Sequence, residues 1–195
     1  TMLSLLGYGY CRLLMPLKSR AHTLGPHNAT LLVDTRRTGA AAKAGHDLTI
    51  EVTSWSGRLE TDESGQTQIA LDADGGSLRV REGRGGIQAL GEHDKESVRE
   101  SIDDEVLKRS AIEFRSRAVE PSADGSRLRV KGELVLLGNR RPIEFELTAG
   151  EDGRLTGSAT VKQSDWGLKP FSTLFGTLKV VDEVEITIDA DLTSD

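Results

Sequence analysis

Apolar and polar residues alternate along most of the chain after residue 27. In the run around Leu48, Ile50 and Val52, every second residue is apolar and the residues between are polar. Similar runs occupy positions 68–73, 78–80, 112–118, 128–134, 143–147 and 184–189. Because successive side chains of a strand point to opposite faces, this pattern predicts an antiparallel sheet with one apolar face and one wet face.

Turn residues separate these runs. Three residue pairs typical of hairpins lie in the second half of the chain, with Pro142 opening the strand after the second of them: Asp124-Gly125, Gly138-Asn139 and Asp152-Gly153. Four glycines after Val80 predict a flexible loop: Gly83, Gly85, Gly86 and Gly91.

One segment has a helical period. Val98, Ile102 and Val106 recur every fourth residue, and Asp94 is a suitable N-cap for a helix that contains them. The spacing predicts one amphipathic helix over about residues 95–109, with its charges on the opposite face.

About eight short strands with one helix predict an all-β fold, a lipocalin-like antiparallel barrel whose closure removes exposed edges. We expect one barrel domain over residues 25–195 and an N-terminal extension, residues 1–24, outside the fold. The apolar stretch Met2–Leu17 is interrupted by Arg12 and is too short to span a bilayer. We therefore expect a cytoplasmic protein, with export as the alternative if residues 1–24 act as a degenerate signal.

Composition and charge argue against several classes of function and of binding site. The net charge is -6 and only 4% of the residues are aromatic, which argues against a general nucleic-acid binder. Cys11 is the single cysteine, so neither an intrachain disulfide nor a cysteine-rich zinc site can form. The three histidines with polar surroundings, His27, His46 and His93, match no metal-ligand spacing, and we expect no metal.

Two polar features allow more than one interpretation. His46-Asp47 at a strand start is a head-group contact, a catalytic pair or a surface turn. A locally basic stretch is either the solvated outer face of neighbouring strands or a surface that docks transiently to an anionic membrane. Its members are Arg115, Arg117, Arg127, Arg129, Arg140 and Arg141.

An ordered set of segments resembles the YceI-like family of bacterial, lipid-binding, lipocalin-like barrels. The segments are Gly45–Leu59, Ser101–Phe114, Leu128–Leu147, Thr160–Leu168 and Val180–Leu192. The resemblance implies an extended barrel around an apolar tunnel that binds a polyisoprenoid chain, such as an isoprenoid quinone or a polyprenyl compound. It also implies storage or transport without catalysis, no cofactor besides the bound lipid, and a homodimer.

The candidate ligand-binding residues are the large apolar side chains expected inside the barrel, together with His46 as a polar contact: Phe114, Leu134, Phe145, Trp166, Phe171, Leu174 and Phe175. The segment Trp166–Val180 breaks the alternation, and we interpret it as a mobile flap at the barrel mouth or a plug packed over it. Two rival functions remain: an interaction module with a filled core, and a barrel hydrolase or cyclase that uses His46 and Asp47.

Overall fold

Eleven strands pair side by side in one curled antiparallel sheet in the computed structural model, which describes residues 20–193. Three further short strands form a small second sheet. In chain order the strands are β1 Arg20–Leu24, β2 Ala29–Thr35, β3 Arg37–Thr38, β4 His46–Val52, β5 Trp55–Thr61, β6 Thr67–Asp74, β7 Leu78–Gly85, β8 Ala111–Pro121, β9 Arg127–Leu136, β10 Asn139–Ala149, β11 Arg154–Lys162, β12 Ser172–Thr173, β13 Leu178–Val180 and β14 Glu183–Asp191.

The strand order of the large sheet is β1-β5-β6-β8-β9-β10-β11-β14-β2-β4-β7, and that of the small sheet is β12-β13-β3. The all-β, barrel-like fold is confirmed, but about eight strands is too low a count. Among residues 20–193 no strand pairing joins β7 to β1, so the sheet curls into a barrel shape without closing its ladder.

Two short chain connections, from β4 to β5 and from β6 to β7, join the two ends of this sheet. The Thr53 N–H, after β4, donates to the Ser77 carbonyl before β7, at 3.1 Å. The Asp74 N–H, at the end of β6, donates to the Ser54 carbonyl before β5, at 3.0 Å. These two bonds extend the β4–β7 and β5–β6 pairings, which lie toward opposite ends of the strand order. The Ser54 N–H also donates to Ser77 Oγ at 3.1 Å and so joins the two connections.

The predicted hairpins are present, with a shift at the second. Its two turn residues are Leu137 and Gly138, both with positive φ, so the turn begins one residue earlier than Gly138-Asn139. Positive φ at both positions is the geometry that matches the twist of paired strands. Pro142 lies inside β10 opposite Glu133 and does not open that strand.

The prediction of a flexible loop after Val80 is wrong for the first residues of that segment. Strand β7 continues to Gly85, and Gly83 and Gly85 pair with Leu48 and His46 of β4. A Cβ at Gly83 would lie 2.7 Å from a methyl carbon of Leu90, so the glycine leaves room for that side chain.

Helix α1, the one α-helix among residues 20–193, covers Glu92–Ser101 and continues as a π-helical turn over Ile102–Val106. The helix is therefore confirmed, but it begins three residues before the predicted start. Gly91 is the N-cap, and Asp94 stands at the third helical position, where its carboxylate accepts the Gly91 N–H at 3.0 Å. The N-cap assignment of Asp94 is wrong, since its side chain reaches back to the cap from inside the helix.

The predicted boundary at residue 25 is also wrong. Arg20–Leu24 forms β1 and pairs with β5, and Leu24 is buried in the core. The rest of the extension, residues 1–19 with the stretch Met2–Leu17 and Cys11, lies outside the described residues. Within the described part of the chain, no helix has both the length and the apolar character needed to cross a membrane.

Candidate functional site

A cavity of about 810 Å³ lies inside the curled sheet. Its wall consists mainly of the apolar faces of the strands, because the residues at every second position point inward. Volumes of 300–1,000 Å³ are typical of sites for small molecules, which are mostly apolar with a few polar groups. Helix α1 packs beside β7 and contributes Ser97, Val98 and Ser101 to the lining.

Two neighbouring strands become more polar toward the same end of the cavity. The inward residues of β2 and its continuation into β3 are Leu31, Val33, Thr35 and Arg37. The inward residues of β4, read in the same direction, are Val52, Ile50, Leu48 and His46. Because Thr35 pairs with Leu48 in the antiparallel ladder, the next inward positions, Arg37 and His46, are cross-strand neighbours. This end is the polar mouth of the cavity.

The last residues of β7 and the loop after it hold both polar side chains at the mouth. Arg37 Nη1 donates to the Arg84 carbonyl at 2.6 Å, and His46 Nε2 lies 2.8 Å from the Gln88 carbonyl oxygen. Gly85 and Gly86 both have positive φ, and a Cβ on either would collide with Arg37 or His46, respectively. Glycine is therefore needed here both for backbone conformation and for space.

Five of the predicted ligand-binding residues line the cavity: His46, Phe114, Leu134, Phe145 and Phe171. The rings of Phe114 and Phe145 lie with their centroids 5.3 Å apart at an angle of 58°. Gly132 makes room for this pair, because a Cβ there would lie 2.6 Å from Phe114 Cζ. Their contact with a ligand stays a prediction.

Trp166 lies in the wall and does not line the cavity. Its side chain is buried, and its indole N–H donates to the Leu134 carbonyl at 2.9 Å. A buried indole needs such an acceptor, and this one is on the backbone of β9. We expected Trp166 in the cavity because it is a large apolar residue. The expectation failed because the alternation is broken in its segment and does not show which way a side chain points.

Phe175 is fully exposed and does not line the cavity either. It has φ 56° at the turn between β12 and β13, which directs its side chain into solvent. The side chain of Leu174 lies outside what the structure describes. The segment interpreted as a mobile flap or a plug contains a short hairpin of β12 and β13, which is joined to β3 by the Lys179–Thr38 and Val180–Arg37 pairings.

The structure does not bring His46 and Asp47 together as a pair. Successive residues of β4 face opposite sides, so His46 lines the cavity while Asp47 lies outside it. The Asp47 carboxylate instead accepts the Arg37 backbone N–H at 2.8 Å. The hydrolase or cyclase alternative required both side chains to act on one substrate, and this geometry does not support it.

Five arginines of the basic stretch lie on the outer face of the sheet among acids, whereas Arg141, opposite Leu134, donates to the Asp165 carbonyl at 3.1 Å. Arg115 is paired with Asp72 at 2.7 Å, and both Arg117 and Arg140 are paired with Glu133. The hydrogen bond from Arg117 lowers the pKa of Glu133 more than that from Arg140 does. Arg127 and Arg129 lie 3.6 and 3.7 Å from glutamates of β10. The arrangement is a charge-balanced, solvated wall and not a cationic docking surface.

Among residues 20–193, no three His, Cys, Asp or Glu side chains come close enough to form a metal site. Arg37 is the functional candidate that the sequence reasoning missed. The period of two that runs from Leu31 through Val33 and Thr35 reaches Arg37 and was the signal that could have found it.

The YceI-like domain model matches residues 31–192, which is most of the chain. This chain belongs to the YceI-like family. The match spans every strand of the large sheet except β1 and the first two residues of β2. The resemblance identified from the sequence is thereby confirmed.

Solved structures of similar fold agree with this assignment. BcnA of Burkholderia cenocepacia has a TM-score of 0.58 and 15% identity, over 83% of this chain and 94% of that one. A cysteine variant of the Campylobacter jejuni YceI protein has a TM-score of 0.50 and 13% identity, over 72% and 81%. A polyisoprenoid binding domain from Saccharophagus degradans has a TM-score of 0.46 and 13% identity, over 87% and 98%. At these identities the first two similarities show the fold. No curated protein matches the chain by sequence.

Proposed function

We propose that this YceI-like protein is a non-catalytic binding protein that holds one long isoprenoid-like lipid inside the curled sheet. The observation that carries the proposal is the apolar cavity of about 810 Å³. Each Å² of apolar lipid surface removed from water there contributes about 25 cal/mol. The ligand class we propose is an isoprenoid quinone or a polyprenyl compound, and the role is storage or transport.

The cavity favours this function over an interaction module with a filled core. A filled core requires that the inward side chains meet at interior density, which leaves few voids larger than a water molecule. Here Ala159, a small residue at an inward position of β11, lines the cavity and leaves space between the walls.

The direct test is native mass spectrometry of freshly purified protein, followed by organic extraction and identification of the released compound. A stoichiometric isoprenoid supports the proposal and gives the chain length. Protein that is free of lipid and takes up neither quinones nor polyprenols contradicts it.

A matched pair of variants shows whether the lipid occupies this cavity. Ala159→Phe adds a ring on the inward face of β11, and we expect it to lower lipid uptake about tenfold or more. Thr160→Phe adds the same ring at the next, exposed position and should leave uptake unchanged. Equal uptake by both variants would place the lipid elsewhere.

We further propose that loading takes place at a membrane surface through the mouth of the cavity. Ile87 and Phe175 are the exposed large hydrophobic residues among those described. Ile87 lies in the loop that holds His46, and the hairpin that carries Phe175 pairs with β3. Both side chains therefore stand on elements that flank the mouth, where an apolar contact with lipid would be used.

A further inference from the structure

We infer that the lipid carries an acidic head group, a carboxylate or a phosphate, which Arg37 binds at the mouth with His46 beside it. This inference rests on the proposed function. It goes beyond that function because it excludes a neutral head group, such as a quinone ring, as the preferred ligand.

The position of Arg37 gives the orientation of the ligand. Arg37 and His46 end the two inward rows of β2 and β4, whose other members are apolar except Thr35. An amphiphile bound in this cavity would put its chain against Leu31 and Val52 and its polar end against Arg37. The reverse orientation would bury a polar head among apolar side chains and cost several kcal/mol unless it were hydrogen-bonded.

The guanidinium of Arg37 has hydrogen-bonding capacity to spare. It carries five N–H donors, and within the described chain one hydrogen bond from its side chain is found, to the Arg84 carbonyl. Its ion-pair partner Asp47 is 3.9 Å away, beyond hydrogen-bonding distance. The remaining donors form a planar fork that suits the two oxygens of a carboxylate or a phosphate.

The hydrogen bond to the Arg84 carbonyl also fixes the guanidinium before a ligand arrives. Its side chain is only 24% exposed, so an ion pair formed there is less screened than one on the outer wall. Below it, the Thr35 hydroxyl is buried and has no hydrogen-bond partner among the described residues, which leaves capacity for one more bond. The acid that shares the cavity lining, Asp94, already accepts the Gly91 N–H.

The experiment compares lipids that differ only in their head group. Binding of a long-chain fatty acid and of the fatty alcohol of equal length is measured by displacement of a fluorescent lipid, and a polyprenyl phosphate is compared with its polyprenol. We expect the unmodified protein to bind each acidic lipid about tenfold or more tightly than its neutral partner, as expected for a hydrogen-bonded charge. The stronger of the two preferences identifies the acid as carboxylate or phosphate.

Variants assign the preference to Arg37. Arg37→Gln should abolish the preference for acids by weakening the binding of each acidic lipid, and circular dichroism checks that the variant is folded. Arg37→Lys keeps the charge without the fork and should retain only part of the preference. Arg36→Gln removes the neighbouring exposed arginine, which does not line the cavity, and should change nothing.

The outcomes separate this inference from the proposed function. Equal binding of acidic and neutral lipids by the unmodified protein would overturn the acidic head group and leave lipid binding intact. A uniform loss of both classes in Arg37→Gln would show that Arg37 only supports the fold. Failure of every lipid to bind would overturn the proposed function itself.

Discussion

The indole N–H of Trp166 donates to the backbone carbonyl of Leu134, 2.9 Å away. This bond ties the turn after β11 to strand β9, 32 residues earlier in the chain. Leu134 lines the cavity on the inner side of the same strand, while Trp166 does not. The bond therefore stabilises the wall without placing the Trp166 side chain in the cavity. A substitution of Trp166 is expected to change stability and not ligand binding.

Trp166→Phe is expected to lower the free energy of unfolding by about 1–2 kcal/mol, because it leaves a buried carbonyl without its indole donor. Lipid affinity should not change. Urea unfolding and lipid displacement measure the two quantities. Trp55→Phe is the control for the hydrogen bond. Trp55 is also buried, but it lines the cavity and its indole N–H has no partner among the described residues, so this substitution removes no hydrogen bond. A loss of lipid affinity in Trp166→Phe at unchanged stability would contradict the assignment.

Gly86→Ala tests how the mouth is held. The new Cβ would collide with the His46 imidazole, and φ of 76° adds a strain of about 1–2 kcal/mol. We expect displaced His46 ring resonances in NMR spectra together with lower stability. Gly65→Ala is the matched control, since Gly65 has φ of 83° and nothing within 4 Å of the added carbon. Unchanged His46 resonances in Gly86→Ala would show that the loop is free to move away.

Asp124 makes a pH-dependent contribution to folding stability, and its hydrogen bonds set the sign of that contribution. Its pKa is lowered to about 2, chiefly by the hydroxyl of Ser122 and then by the backbone N–H and hydroxyl of Ser126. A lowered pKa means that the folded chain favours the carboxylate. Its stabilising effect is therefore complete above the usual aspartate pKa of about 3.9 and is lost as the pH falls through about 2.

An NMR titration of the Asp124 side chain measures this directly. We expect a midpoint near 2 in the unmodified protein and a higher one in Ser122→Ala. Ser158→Ala, on an exposed position of β11, should leave the midpoint in place. A midpoint near the usual aspartate value in the unmodified protein would rule out the hydrogen-bonded turn.

Phe175→Ser tests loading at a membrane. Transfer of an exposed phenylalanine into lipid is worth about 1.5–3 kcal/mol, so the variant should bind vesicles at least about tenfold more weakly. Co-sedimentation with phosphatidylglycerol vesicles measures this, and Ile87→Ser should act in the same direction. Thr160→Ser, on the outer wall, is the control. If Phe175→Ser sediments as the unmodified protein does, the mouth is not the membrane contact.

The regular parts of the fold could be predicted because the alternation within each strand identifies its inner face. Leu48, Ile50 and Val52 alternate, and all three line the cavity. Phe114 and Phe145 were placed inward for the same reason. Strand β5 also alternates, with Trp55, Gly57, Leu59 and Thr61 buried, but a glycine and a threonine in the inner row weaken the hydrophobic signal.

The irregular parts could not be predicted from periodicity. Trp166 and Phe175 stand in a segment with a proline, two glycines and no regular period. A tertiary hydrogen bond directs Trp166, and the turn between β12 and β13 directs Phe175. Gly83 and Gly85 suggested a loop because glycine is rare within strands. Here each leaves space for a side chain from elsewhere in the chain, Leu90 and Arg37, and local sequence carries no sign of that.

Helix α1 has no buried residue, whereas β9 has Val130, Leu134 and Leu136 in the core. At the end of the helix, the buried carboxylate of Asp103 is paired with Arg99 at 2.7 Å and with Arg109 at 3.5 Å. Because resistance to local opening increases with burial, the amides of α1 will exchange with deuterium long before those of β9. Because α1 contributes to the lining of the cavity, its local opening would expose the interior while the wall of strands stays folded. A lipid held as proposed above would then leave through this local opening without unfolding of the whole protein.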